Sequence, residues 1–241
     1  MLGSKSTPKD YLIKMSKPKT IWERTRRLFT LSPNRFLRQV SGVIHVGANT
    51  GEESGKYEKL GLRVLWVEPI PKVFEELERN ISQLPRQRAI KALVTDRDNE
   101  TYQFHIANNN GASSSILELK DHKDIWPDVV YTETISLVST TLSSLLREQV
   151  IDPSSFDALI IDTQGSELLV LKGAEPILKN FKFVKTEVAD FESYAGCCQL
   201  ADIEQFMTQH GFREFSRNAF ARHTKGGAYY DITYKRKAQI G

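Results

Sequence analysis

The residues of this chain that could do chemistry fall in four short runs. The first is V-I-H-V-G-A-N-T-G, Val43 to Gly51, an apolar stretch closing on two glycines. A strand that ends in a glycine turn and opens a helix brings backbone amides up to a ligand at the carboxyl end of a sheet. Side chains at Gly47 and Gly51 would obstruct that approach. The spacing is GxxxG rather than the GxGxxG of a dinucleotide cradle, so an adenosyl ligand without a pyrophosphate suits it better. The second run, L-W-V-E-P, places Glu68 21 residues after Gly47. A carboxylate at that distance can accept hydrogen bonds from both ribose hydroxyls. Together the turn and the acid describe a nucleoside-binding crevice.

The third run is L-I-I-D-T-Q-G-S-E, in which Asp162 ends an apolar strand; Glu187, in K-T-E-V-A-D, ends the next. Two carboxylates at neighbouring strand ends could orient a cofactor, accept a proton from a second substrate, or hold a divalent cation. These three roles stay open on sequence grounds. Glu167 either faces the same cleft or is a favourable acid in a helix's first turn. The fourth run, N-N-N-G-A-S-S-S from Asn108 to Ser115, is either a flexible linker or a lid donating hydrogen bonds.

Alternating apolar runs and helical stretches must position these residues, the pattern of βαβ units. Strands are predicted at Val43–Val46, Arg63–Val67, Ala89–Val94, Glu100–Ile106, Ile135–Val138, Phe156–Ile161 and Phe183–Val188. Two last pieces, Phe212–Ser216 and Ala228–Tyr234, suggest an antiparallel pair at the sheet edge. Helices are expected from the Gly51 turn through Leu60, over Lys72–Leu84, Leu142–Val150, Glu167 to about Asn180, and Leu200–His210. Gly211 ends the last of these as a C-cap. Ala107 to Asp128 reads as a polar insertion over the sheet.

Residues 1–40 form a basic N-terminal extension and 41–241 the main domain. The extension holds ten Lys or Arg against Asp10 and Glu23, a balance of +8, while the whole chain is +3, which leaves the body at −5. Nucleic-acid enzymes spread basic charge around their active sites, so a polynucleotide substrate is not expected. Thr20 to Leu31 is predicted as a short helix. It packs on the body, or turns its basic side to an acidic protein or a membrane surface. The adjacent Cys197 and Cys198 fit neither disulfide nor metal-site spacing and read as free thiols. With no apolar run near the roughly 20 residues of a membrane span and no secretory leader, the expected location is cytoplasmic.

Assembled in order, these motifs resemble the FkbM family of methyltransferases over roughly residues 41–235. The resemblance rests on H-V-G-A-N-T-G-E-E, V-E-P, A-L-V-T-D, A-N-N-N-G-A-S-S-S and T-E-V ahead of Tyr194. Most specific is I-D-T-Q-G-S-E-L-L-V-L-K-G-A, where several independent positions match. It implies a class I methyltransferase fold, a Rossmann-like doubly wound and mostly parallel sheet. It also implies S-adenosylmethionine as donor and O-methylation of sugars, glycans or natural-product hydroxyls. Carried over by position, Gly47, Ala48, Asn49 and Gly51 would meet the methionyl part of the cofactor. Glu68 would hold its ribose, and Leu93 and Val94 would lie near adenine. Asn109, Ser113 and Ser114 would line the acceptor side. From their own positions at strand ends, Asp162 and Glu187 are the catalytic candidates, either of which could take the proton of an acceptor hydroxyl. Family members commonly carry an acid where this chain has His45, which here reads as a packed strand residue. The competing classes are an NAD-dependent oxidoreductase on the same topology and a non-catalytic nucleoside-binding module.

Overall fold

A computed structural model describes residues 34–238; the helix expected at 20–31 lies outside them. The described residues belong to one compact unit. Its first turn, a 3-10 helix at Arg35–Gln39, buries Phe36 and Leu37 completely beside the first strand.

The main sheet has seven strands: β1 (Gly42–Val46), β2 (Arg63–Glu68), β3 (Gln87–Lys91), β7 (Ala158–Ile161), β8 (Phe183–Ala189), β9 (Phe212–Arg222) and β10 (Ala228–Arg236). Their order is β3-β2-β1-β7-β8-β10-β9, with the first five parallel and the last two antiparallel. The expected edge pair is present, and both of its strands run further than the sequence pattern implied. From β1 the chain winds outward through β2 and β3, then returns to the other side of β1 as β7. The crevice between the carboxyl ends of β1 and β7 is therefore the topological switch point, where open α/β sheets bind ligands.

Alternation along the central strands feeds two cores. Ile44, Val46, Leu65, Val67, Leu159 and Ile161 point to one face, while Val43, Val64, Trp66, Ala158 and Ile160 point to the other. On the first face lie α3 (Leu142–Glu148), α4 (Glu167–Gly173) and α5 (Leu200–Gln209); on the second lie α1 (Ser54–Lys59) and α2 (Pro71–Ile81). With both faces covered, β1 and β7 are buried at every residue, which is why their sequences are continuous apolar runs. The one polar residue among them, His45, is also buried and is discussed below.

Two expectations need correction. The strand read as Ala89–Val94 is two strands, β3 and β4 (Leu93–Thr95), which leave Ala92 between them and belong to different sheets. β4 joins β5 (Thr101–Ala107) and β6 (Tyr131–Thr141) in a three-stranded sheet of order β4-β6-β5. A stretch patterned as one strand carries no mark of a change in pairing partner. The helix expected from Glu167 to Asn180 is α4 followed by a separate 3-10 helix, Glu175–Asn180. Pro176 lacks the amide that an uninterrupted helix would need there. The segment from Ala107 to Asp128, read as a polar insertion over the sheet, packs onto the body. It is bridged to the body at His105↔Ser115 and Leu119↔Tyr194, contains a 3-10 turn at Asp121–Asp124, and buries His122.

Candidate active site

β1 ends at Val46 and the chain turns at once. Gly47 has φ +79° and Gly51 +75°. The reason for glycine at these positions differs from the one expected. A Cβ on Gly47 would stand 1.8 Å from the carbonyl oxygen of Asp162, and one on Gly51 would stand 2.6 Å from Leu77 Cδ1. Glycine is required for the turn to pack against β7 and α2, and the room left for a ligand follows from that packing. Asn49, at φ +45°, also takes the left-handed region, where asparagine is among the few side chains tolerated.

Glu68 closes β2 and is almost wholly buried. Its Oε2 accepts from the backbone N–H of Asn49 at 2.9 Å and its Oε1 from that of Ile70 at 2.9 Å. Burial pushes its pKa up to about 7, against the two backbone bonds that favour the ionised form; the Asp162 charge adds to the rise. Each oxygen keeps a further lone pair, so the carboxylate can still accept from two hydroxyls.

Around this acid lies a cavity of about 210 Å³. Its walls hold Gly47, Ala48, Asn49, Glu68, Leu93, Val94, Ser114 and Asp162 of the residues singled out from sequence. Ala92, Leu93 and Val94 enter because the chain leaves the main sheet at the end of β3, where the Ala92 N–H donates to the Glu68 carbonyl at 3.3 Å. Ile70 and Phe104 complete an apolar slot with Leu93 and Val94. Neither was marked by the sequence: Ile70 follows the V-E-P run, and Phe104 lies in a strand whose contact with the crevice depends on the second sheet. Gly51 braces the turn behind the cavity and is not part of its wall.

The Asn108–Ser115 turn sits at the cavity edge, tethered by a bond from Asn49 Nδ2 to the Asn110 carbonyl at 3.2 Å. Gly111 and Ala112 line the cavity with Ser114. Asn109 and Ser113 do not. Asn109 Nδ2 donates to Ser113 Oγ at 2.9 Å, and the Ser113 N–H donates back to Asn109 Oδ1 at 3.1 Å. Ser113 Oγ also stands 3.3 Å from His122 Nε2. Their polar groups are spent on the fold of the turn. Ser114 Oγ likewise accepts from the Ala107 N–H at 3.0 Å.

Asp162 and Glu187 do meet, but in a second cavity. Asp162 lines both spaces, whereas Glu187 lines a neighbouring polar cavity of about 300 Å³ together with Lys185, Asp231, Glu53 and His45. The two acids are held differently. Gln164 Nε2 donates to Asp162 Oδ1 at 2.6 Å, and burial raises the Asp162 pKa to about 6. Asp162 is half-buried. Glu187 is pushed well above the ordinary carboxylate range by burial and by the charges of Asp162, Asp231 and Glu167. Lys185 is drawn off by an ion pair with Asp231 at 2.6 Å.

His45 is a packed residue, as its sequence context suggested. Burial holds its pKa down to about 3, its ring stacks on Trp66 with centroids 5.0 Å apart, and its Nδ1 lies 3.3 Å from the Tyr57 hydroxyl. Glu167 neither faces the cleft nor merely decorates a helix end. Fully buried, it accepts from the backbone N–H groups of Thr163 and Gly165 at 3.1 and 3.0 Å, so it braces the loop that carries Asp162 and Gln164. Among the described residues no group of three or more His, Cys, Asp or Glu is arranged to hold a metal ion. None of the helices there is long and apolar enough to cross a membrane.

A doubly wound sheet with a turn packed closely at its switch point is the fold of the class I methyltransferase type, and a buried acid at the end of β2 with an apolar slot beside it makes a crevice suited to a nucleoside. The family model "Methyltransferase FkbM domain" matches residues 45–214. The chain belongs to that family, and S-adenosylmethionine is its methyl donor. This sets aside the NAD-dependent oxidoreductase reading. No curated protein matches the chain. Among solved structures it is similar to precorrin-6y C5,15-methyltransferase from Geobacter metallireducens GS-15, at 12% identity over 81% of this chain and 80% of that one, with a TM-score of 0.45. It is also similar to magnesium protoporphyrin IX methyltransferase from Synechocystis PCC 6803, at 10% identity over 81% and 69%, TM-score 0.45. A third likeness is to a TehB-like methyltransferase from Corynebacterium glutamicum, at 13% identity over 90% and 94%, TM-score 0.43.

The residues present fit the donor. A buried carboxylate with spare lone pairs suits a ribose diol, four apolar side chains suit an adenine ring, and the Gly47–Asn49 turn leaves space for the amino-acid end.

Proposed function

We propose that the chain methylates a hydroxyl oxygen on a sugar, glycan or small natural product, with Asp162 as the base. The observation that supports this most directly is the place of Asp162. It stands in the wall common to the cofactor cavity and the polar cavity, with Oδ1 committed to Gln164 and no donor on Oδ2 among the described residues.

S-adenosylmethionine brings a methyl group already activated on a sulfonium, so the protein's tasks are alignment and proton removal. Alignment of two bound reactants alone lowers the barrier by several kcal/mol. Forming the oxygen–methyl bond breaks the sulfur–methyl bond, and the hydroxyl proton passes to Asp162. A base with a pKa near 6 is ionised at neutral pH yet more basic than a free aspartate, which matches it to that task. Glu187 stands beside it in the polar cavity, its carboxyl pushed above the ordinary range by burial and by the Asp162 charge, and serves to orient the acceptor by hydrogen bonding.

The body's charge of −5 beside the +8 of residues 1–40 supports a small neutral acceptor over a polynucleotide. The free thiols Cys197 and Cys198 accord with a reducing, cytoplasmic setting.

The test is a screen of small-molecule extracts with methyl-labelled donor, comparing the native chain with Asp162→Asn. Labelled ethers formed by the native chain and lost in the variant support the reading. Label found only on nitrogen or carbon, or equal labelling by both proteins, overturns it.

A further inference from the structure

Asp162 is held from behind by a chain of two side chains that sequence reasoning left without a role. Gln164 has φ +54°, a conformation unusual for a side chain of its size. That backbone turn folds the side chain back so that Nε2 reaches Asp162 Oδ1 at 2.6 Å. The other end of the same amide, Oε1, accepts from the Tyr194 hydroxyl at 2.8 Å. Tyr194 is buried, and its next polar neighbour, the Ser113 carbonyl, lies at 3.5 Å.

We propose that Tyr194 and Gln164 are positioning residues for Asp162: the tyrosine hydroxyl fixes which way the glutamine amide faces, and the amide fixes the carboxylate. An amide has a donor end and an acceptor end, and a flip would turn its carbonyl toward an ionised carboxylate. The hydroxyl of Tyr194 donates to Oε1, so the NH₂ group is left to face Asp162. Oδ1 is then engaged, and Oδ2 is presented for proton transfer. This rests on the reading of Asp162 as the base.

Three features show that the arrangement is built into the fold. Gly165, at φ +101°, would bring a Cβ within 3.1 Å of Tyr194 Cδ2, so glycine there lets the ring lie against the loop. Ser115 Oγ donates to the Gln164 carbonyl at 2.8 Å, which holds the residue's backbone in place. Tyr194 itself is bridged to Leu119 of the segment that caps the cavity. The base and that segment are thus tied to the same tyrosine.

The consequence is chemical as well as geometric. Gln164 stabilises the ionised form of Asp162 against burial and against the nearby acids. Those acids are Glu53 before α1, Glu68 on β2, Glu167 on α4, Glu187 on β8 and Asp231 on β10; Lys185 on β8 acts in the same direction as Gln164, and His45 on β1 is neutral.

The test follows the Asp162 carboxyl carbon by ¹³C NMR in the full chain saturated with S-adenosylhomocysteine, with the signal assigned by its loss in Asp162→Asn. Gln164→Leu is expected to raise the titration midpoint of Asp162 by about one pH unit, and Tyr194→Phe by about half a unit. S-adenosylhomocysteine affinity in Tyr194→Phe should stay within about threefold of the native value, because Tyr194 does not line the cofactor cavity. A midpoint unmoved by Tyr194→Phe while Gln164→Leu shifts it would reduce the tyrosine to packing and overturn the chain. A midpoint unmoved by either overturns the whole proposal. Neither readout needs turnover. If Asp162→Asn kept full turnover, the base assignment would fail separately.

Discussion

Asn49 and Glu68, the first in the turn after β1 and the second at the end of β2, are joined by a single bond of 2.9 Å from a backbone N–H to a carboxylate oxygen. That bond fixes the turn against the acid before any ligand arrives. The Ile70 N–H holds the other oxygen. The carboxylate is therefore oriented in advance, and binding need not recruit a free side chain.

The buried acids give the protein an unusual dependence on pH. Burial raises Glu68 and Glu167 to about 7 and Asp162 to about 6, from ordinary values of 4.5 and 3.8. In that interval the folded protein holds more protons than the unfolded chain, so stability falls as pH rises through it. Asp98 and Asp157 are shifted down and act only below their ordinary value, whereas His45 and His122, held down by burial to about 3 and about 4 from 6.5, oppose the raised acids in the lower part of the interval and reduce the slope there without reversing it. Melting of the ligand-free protein by calorimetry should show Tm falling between about pH 5 and about pH 7.5. A Tm that climbs steadily over that range would contradict the assignment.

Gly47→Ala tests the packing of the turn. With a left-handed φ and a Cβ 1.8 Å from the Asp162 carbonyl, the substitution forces the backbone of β1 or β7 to move. A loss of about 2–4 kcal/mol in urea unfolding is expected. Gly55→Ala, at a position where a Cβ meets nothing within 4 Å, serves as control and should cost little or gain stability.

For Asp162→Asn the geometry of the loop should survive, since an asparagine can still accept from Gln164. Single-turnover methylation of the acceptor found in the extract screen should slow by about 10²–10⁴-fold. Donor affinity should change only a few-fold. A comparable loss in donor affinity would recast Asp162 as a cofactor ligand.

Much of this site was legible in the residues because its parts are local. The glycine turn, Glu68 and Asp162 each close a strand, and a strand end in an open α/β sheet is a fixed address. The sequence marked both glycines as ligand contacts, but Gly51 lies behind the cavity, and only three-dimensional contacts show that Gly47 clears a neighbouring carbonyl. Asn109 and Ser113 look like ligand donors in a polar run, but nothing in a linear string reveals that their hydrogen bonds are spent on each other. Phe104 and the split of β3 from β4 depend on a second sheet assembled from distant segments. Gln164 and Tyr194 are thirty residues apart, and only folding brings the hydroxyl to the amide.

The measurement closest to the centre of this account is calorimetric titration of S-adenosylhomocysteine into the native chain and into Glu68→Ala, both freed of carried-over ligand. The native chain should bind one equivalent, and the variant should bind about 10- to 100-fold more weakly, as expected when a hydrogen-bonded carboxylate is removed from a diol. No binding by the native, folded chain, or equal affinity in the two proteins, would contradict the placement of the donor in the crevice beside Glu68 at the carboxyl ends of the strands.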